Sequence, residues 1–174
     1  MIHVEQITKA HECDIRIPND PFPINGRYKV TFDGEKWSGA VSYDNTDAQM
    51  TFPDEKYDFD EMSKDSYFFG AYNDGKCIGL LVLQKHYLKY MHVYDLKVSQ
   101  KYRRMGVGRM LIDAAAAFAK DNGYRGLFLE AQDNNPTACE FYINSGFRIG
   151  GFDTEVYKGS NQEGKSDIKF YLDV

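Results

Sequence analysis

Residues 90–120 constrain this chain more than any other stretch, because they read as a strand running through a short loop into a long helix. Tyr90-Met91-His92-Val93-Tyr94-Asp95-Leu96-Lys97-Val98 is rich in β-branched and aromatic residues and is bounded by polar ones, which is the pattern of a strand. Val107, Leu111, Ala114 and Phe118 then fall on one face at the 3.6-residue period, the signature of an amphipathic helix. Asn122-Gly123 supplies its stop, with Lys120 complementing the negative end of the dipole. The connecting loop, Arg103-Arg104-Met105-Gly106-Val107-Gly108, holds two arginines and two glycines, and Arg109 follows directly. Unpaired amides at a helix N-terminus, together with the positive end of its dipole, form an anion site. Phosphate is the expected anion.

A dinucleotide-binding fingerprint would need a third glycine where this chain has Leu111. The pattern Arg103-x-x-Gly106-x-Gly108, after a strand and opening a helix, instead resembles the acetyl-CoA-dependent N-acetyltransferase superfamily, the GNAT fold. A second stretch agrees: the strand-like Gly126-Leu127-Phe128-Leu129-Glu130-Ala131-Gln132 precedes Asn135-x-x-Ala138-x-x-Phe141-Tyr142-x-x-x-Gly146-Phe147. Three further runs are similar to the streptothricin acetyltransferase branch of that superfamily. They are Asp20-Pro21-Phe22 … Gly26-Arg27 … Gly34-x-x-Trp37, Leu129-Glu130-x-Gln132-x-Asn134-Asn135, and Gly150-Gly151-Phe152-Asp153 … Tyr157-Lys158-Gly159.

The resemblance implies acetyl-CoA as co-substrate. Arg103, Arg104, Met105, Gly106, Val107, Gly108 and Arg109 would hold its pyrophosphate, and the backbone at Leu96 and Val98 would bond the pantetheine arm. The Asn135 amide would contact the same arm, and the Tyr142 hydroxyl would face the thioester sulfur. The order of elements (strands, a hairpin, strand–helix–strand–helix, a closing hairpin) argues an α/β domain with a mixed central sheet. The resemblance adds that this sheet is mostly antiparallel, splayed at its two central strands and flanked by helices, with residues 1–174 forming one acetyltransferase domain.

Acetyl transfer to an amine sets the remaining requirements. Only the neutral amine attacks, and a lysine-like ammonium has a pKa near ~10.4. The developing oxyanion needs a donor, for which a backbone N–H of the central strand serves. The departing sulfur gains from a proton, and Tyr142 is the candidate donor; a phenol giving its proton to a thiolate is uphill by roughly 2 kcal/mol. Glu130 and Asp95 are carboxylates inside otherwise apolar strands, so either could deprotonate the amine through a water or bind the ammonium. Asp153, after the double glycine, is a further cation-binding candidate. Other small amines, such as a polyamine or an aminoglycoside, stay open as acceptors. So do a non-catalytic acyl-CoA-binding module and a homodimer.

The net charge of −5 argues against non-specific nucleic-acid binding, which Lys and Arg carry, and suits a cationic acceptor better. Cys13, Cys77 and Cys139 have no paired or metal-type spacing and read as small buried hydrophobes in a reducing cytosol. Residues 1–14 lack the apolar core of a secretory signal, and the longest apolar run, residues 78–83, is far short of a membrane span. A cytoplasmic protein is expected. Gly70-x-x-x-x-Gly75-Lys76-Cys77 nearly matches a nucleotide-binding loop, but Cys77 stands where Ser or Thr must hold magnesium, and a strand follows instead of a helix. Residues 54–65 carry six acids against two lysines and read as a solvated surface segment. Residues 2–7, 26–32, 37–43, 66–72, 76–85 and 166–172 read as strands, the last pairing with residues 147–157, and residues 19–24 as a loop.

Overall fold

Phe68 to Leu83 is the most continuously apolar part of the chain, broken only by Asn73-Asp74-Gly75-Lys76, so it folds back on itself as a buried hairpin. The computed structural model describes residues 1–86 and 88–174. In chain order the elements are β1 (His3–Gln6), a 3-10 segment (Lys9–Arg16), β2 (Phe22–Pro23), β3 (Gly26–Phe32), β4 (Trp37–Tyr43) and β5 (Gln49–Met50). There follow α1 (Phe59–Met62), β6 (Ser66–Asn73), β7 (Lys76–Gln84), β8 (Tyr90–Val98), a 3-10 turn (Gln100–Tyr102) and α2 (Val107–Asp121). The last are β9 (Gly126–Gln132), α3 (Pro136–Asn144), β10 (Arg148–Asp153) and β11 (Asp167–Asp173). They fall into two units: Met1–Asp20 with Thr51–Leu127 and Val174, and Pro21–Met50 with Phe128–Asp173.

In the first unit β1, β6, β7 and β8 hydrogen-bond in that order, each pair antiparallel. The β6–β7 turn uses left-handed Asp74 (φ 50°) and Gly75 (φ 76°), the conformation that a tight hairpin requires. Lys76 therefore opens a strand, which disposes of the nucleotide-loop match. One face of the hairpin, through Phe68, Leu80 and Val82, packs on Ile7 and Ile15, with Tyr57, Phe59 and Met62 around them. Against the other lies α2, so close that a Cβ at Gly79 would sit 3.1 Å from Leu111 and 3.2 Å from Val107. The buried stripe of α2 is Val107, Leu111, Ile112, Ala115 and Ala119. It is rotated slightly from the expected face, because Ala114 and Phe118 are only half-buried. Phe118 instead packs its ring against Tyr67 and Phe69.

Two elements of this unit escape the periodicity of the sequence. The Lys9–Arg16 segment buries Ile15, and α1 is a single turn capped by Asp58, whose carboxylate accepts the Glu61 N–H at 3.0 Å. The acidic stretch is thus not uniformly solvated: Glu55 and Tyr57 are half-buried. Cys13, expected inside, is exposed, whereas Cys77 and Cys139 are buried and their thiols are pushed up to about 11 and about 12 by burial.

The second unit contains the β3–β4 ribbon, the small β2–β5 pair within and beyond the expected loop, and β9, β11 and β10 bonded in that order. The β10–β11 pair is shorter than expected, since β10 ends at Asp153. A bulge at Gly150 lets the Tyr171 ring lie 2.5 Å from where a Cβ would stand, a position only glycine fills. Asp133 ties the unit together. Its buried carboxylate accepts Arg27 at 2.6 Å and the Ser166 N–H at 3.0 Å, and its carbonyl accepts the Tyr28 N–H.

Candidate active site

In the first unit the site-bearing strand is β8, and its pairing with β7 is irregular. Val93 stands opposite Leu83 and Asp95 opposite Val82, so Tyr94 is the extra residue of a bulge. Bulges re-aim side chains and are enriched beside active sites. Asp95 emerges from this one into a polar network. The Tyr57 hydroxyl donates to its Oδ2 at 3.1 Å and the Lys97 ammonium approaches the same oxygen at 3.2 Å. Lys97 also donates to Glu55, whose two oxygens each accept the Asn19 amide at 3.0 Å.

Burial drives the Asp95 carboxyl above the ordinary carboxylate range, Lys97 and the Tyr57 hydrogen bond oppose this, and the Glu55 charge adds to it. At Glu55 burial also pushes upward, but hydrogen bonds from Lys97 and Asn19 prevail and hold it below its ordinary value. The Tyr57 phenol is raised by burial and by the neighbouring Asp95 and Glu55 charges, so it stays a donor. None of these partners of Asp95 carried a motif in the sequence.

The loop after β8 divides its arginines between two tasks. Arg103, expected at a phosphate, turns inward instead: its Nε donates to the Val98 carbonyl and its Nη2 to the Asp20 carbonyl, both at 3.1 Å. Asp20 in turn accepts the Gln100 N–H at 2.7 Å. Arg103 is thus a brace of the loop, and the Val98 carbonyl is already engaged. Leu96 and Val98 are half-buried, opposite Leu81 and Gly79. Arg104 is exposed, and among the described residues no ion-pair partner holds it. Met105 is exposed as well, and Arg109 pairs with Asp113 at 2.8 Å along the helix. Arg104 (φ 65°) and Gly106 (φ 81°) are both left-handed, and Gly106 gives α2 no side-chain cap. The first amides of this 15-residue helix, Val107, Gly108 and Arg109, are therefore left to an outside acceptor. That arrangement fits a pyrophosphate.

In the second unit Asn135 caps α3, its Oδ1 accepting the Ala138 N–H at 3.1 Å. Among the described residues the NH2 of the Asn135 amide has no hydrogen-bond partner. Tyr142, half-buried on α3, has its ring among Phe141, Phe147 and Phe170 at centroid separations of 5.3, 5.7 and 5.6 Å. Glu130 is exposed on β9 with Lys169 3.5 Å away. Asp153, expected to bind a cation, closes a turn by accepting the Glu155 and Val156 N–H groups at 2.8 and 3.1 Å.

The sequence reading assigned no role to Tyr157 or Asp167. The Tyr157 hydroxyl donates to Asp167 at 2.7 Å and accepts from Gln132 at 3.1 Å. Burial, then that bond to Asp167, pushes the phenol up to about 12. Asp167 is raised by burial; its bond from Tyr157 opposes this, and the Glu130 and Asp153 charges add to it.

Two more features bound the chemistry. An open cavity among the described residues is lined by His3, Glu5, His11, Asp14, Tyr72 and Gly75, and it includes no residue of β8 or of the α2 N-terminus. No helix among the described residues is long and apolar enough to cross a membrane.

Residues 37–147 match the acetyltransferase (GNAT) family. This chain belongs to that family. It is an N-acetyltransferase with the α/β architecture of the group. It is 31% identical to streptothricin acetyltransferase A of Bacillus subtilis (strain 168) over 157 residues, which is 88% of this chain and 90% of that protein. A Bacillus anthracis str. Ames protein, solved in complex with acetyl coenzyme A and named as a candidate streptothricin acetyltransferase, superposes with a TM-score of 0.88. The two are 28% identical and the match covers 100% of both chains. Nourseothricin acetyltransferase superposes with a TM-score of 0.80 at 25% identity, covering 99% of this chain and 98% of that one.

Proposed function

We propose that this GNAT enzyme acts as a single acetyltransferase domain that moves the acetyl group of acetyl-CoA to a primary amine of a cationic small molecule, streptothricin. The observation that carries the acceptor is the near end-to-end match to streptothricin acetyltransferase A, 88% of this chain against 90% of that protein. Acetyl-CoA supplies the activated acetyl thioester. The open first turn of α2 and the exposed Arg104 suit its pyrophosphate, and the free NH2 of Asn135 suits its amide-rich arm.

On the acceptor side an ammonium near pKa ~10.4 must be bound and deprotonated. Asp95 is the stronger candidate. Its carboxylate is half-buried, so a cation gains more from it than from a solvated group. Its raised proton affinity also makes it a better base than an ordinary aspartate. Glu130 is the second candidate, with Asp153 committed to its turn. Tyr142 Oη is the proton source for the sulfur, its ring fixed by three aromatic neighbours.

The test is free-thiol release from acetyl-CoA against a panel of streptothricin, polyamines and aminoglycosides. Release is expected with streptothricin at the highest kcat/KM. A faster reaction with a polyamine or aminoglycoside would reassign the acceptor, and acetyl-CoA binding without release on any amine would leave a binding module.

A further inference from the structure

Lys97 lies two residues beyond Asp95 on β8 and so shares its face of the strand. Its side chain is only 10% exposed, although a lysine ordinarily extends into water. It is held from both ends: Asp95 Oδ2 lies 3.2 Å from its nitrogen, and Glu55 accepts its other hydrogen bond. Glu55 is fixed in turn by the Asn19 amide at 3.0 Å. The Tyr57 hydroxyl meets the same Asp95 oxygen as Lys97 does. Both donors therefore converge on Oδ2. Among the described residues Oδ1 has no partner, and it is not sealed from solvent.

We infer that Lys97, clamped by Glu55, is a positioning residue for Asp95: it anchors the carboxylate through Oδ2 and leaves Oδ1 to the acceptor amine. The inference rests on the reading of Asp95 given above. A half-buried carboxylate favours its neutral form unless a cation opposes that tendency. The groups facing Asp95 are Lys97 from its own strand and Tyr57 and Glu55 from the segment before α1, while Val82, opposite it on β7, carries no charge. The three ionic groups, Asp95, Glu55 and Lys97, sum to one net negative charge, which a bound ammonium would balance. Without Lys97, two carboxylates would share a partly desolvated site with no counter-charge, and Asp95 would take up a proton at a higher pH. Without Glu55, Lys97 would serve Asp95 alone, and the proton would leave at a lower pH.

A purely structural pair makes a different prediction, since its loss lowers the melting temperature without moving a titration. The experiment is the pH profile of kcat/KM for acetyl transfer to streptothricin, or to the best amine of the panel. It uses wild type, Lys97→Met, Lys97→Arg, Glu55→Gln and Asp95→Asn, each checked for folding by circular dichroism. The acid limb is expected to move up by about one pH unit or more in Lys97→Met, down in Glu55→Gln, and back towards wild type in Lys97→Arg. Glu55→Gln alone carries the test if Lys97→Met does not fold. If Asp95→Asn abolishes the limb while the Lys97 and Glu55 variants leave it in place, Lys97 is structural and the role of Asp95 stands. If Asp95→Asn keeps the wild-type profile, both are overturned.

Discussion

The chain contains two strand–helix units of the same topology, β8 into α2 and β9 into α3, and they are built on opposite principles. The carboxylate of β8, Asp95, is half-buried and held by a tyrosine and a lysine, whereas that of β9, Glu130, is exposed with Lys169 3.5 Å away. The helix after β8 begins uncapped on a left-handed glycine, while the helix after β9 begins on Asn135, which accepts the Ala138 N–H, with Pro136 at its first position. One unit keeps its polar groups unsatisfied at the helix end and tightly wired on the strand. The other satisfies its helix end internally and offers an aromatic nest around Tyr142 instead. Like topology therefore does not mean like chemistry, and the denser ionic network lies on the first of the two, along β8.

The sharpest way to break the contrast is to neutralise both carboxylates. Asp95→Asn should lower kcat/KM for the amine by about 10²–10⁴-fold, the usual worth of a general base. Glu130→Gln should cost about fivefold at most, because an exposed ion pair contributes ~0–1 kcal/mol. Equal losses in steady-state kinetics would erase the distinction between the strands.

Tyr142→Phe comes next, with kcat lower by about 10–10²-fold, the lower end for a general acid since a thiolate already leaves well. Acetyl-CoA affinity should hold, because the ring and its packing remain; a matching loss of affinity would make Tyr142 a binding residue.

Gly108→Val should weaken acetyl-CoA binding by more than about tenfold in calorimetry, since a branched side chain crowds the amides that meet the anion. Unchanged affinity would move the pyrophosphate away from α2. The smallest effect belongs to the capped helix: Asn135→Ala should cost about 0.5–2 kcal/mol of stability in denaturant unfolding. Asn135→Ser, which can still accept the Ala138 N–H, should recover most of it.

The regular elements were largely legible in the sequence because local rules govern them. The hairpins at Asp33-Gly34 and Asp74-Gly75, the strand at Tyr90–Val98 and the start of α2 at Val107 all follow from turn chemistry and periodicity. Asp95 and Tyr142 stood out as polar groups within apolar runs or motifs. Their surroundings did not, because Glu55 and Tyr57 meet β8 from roughly 40 positions upstream, within a segment whose acids suggest only solvation. The backbone bonds of Arg103 and Asp153 were hidden for a related reason. A charged side chain near a ligand loop looks available until the backbone groups it already serves are known.

The extra residue at Tyr94 has a consequence for how β8 can vary. Val93 and Asp95 stand opposite consecutive residues of β7, Leu83 and Val82, and so point to opposite sides of the sheet. The strand is in effect two half-strands of opposite phase spliced at one position. Met91 and Val93 lie on the side of Gly79, over which Val107 and Leu111 pack, while Asp95 and Lys97 lie on the side of Leu80 and Val82 with Tyr57. A β8 that kept this residue in regular register would put Asp95 on the face of Val93 and swing both charges beneath α2, whereas a chain shortened by it would alternate simply and keep Asp95 opposite Val82. Position 94 should thus tolerate many side chains, and its deletion should leave Asp95 and Lys97 on the face they already occupy. Phase rather than the chemical identity of residue 94 decides which face the two charges take.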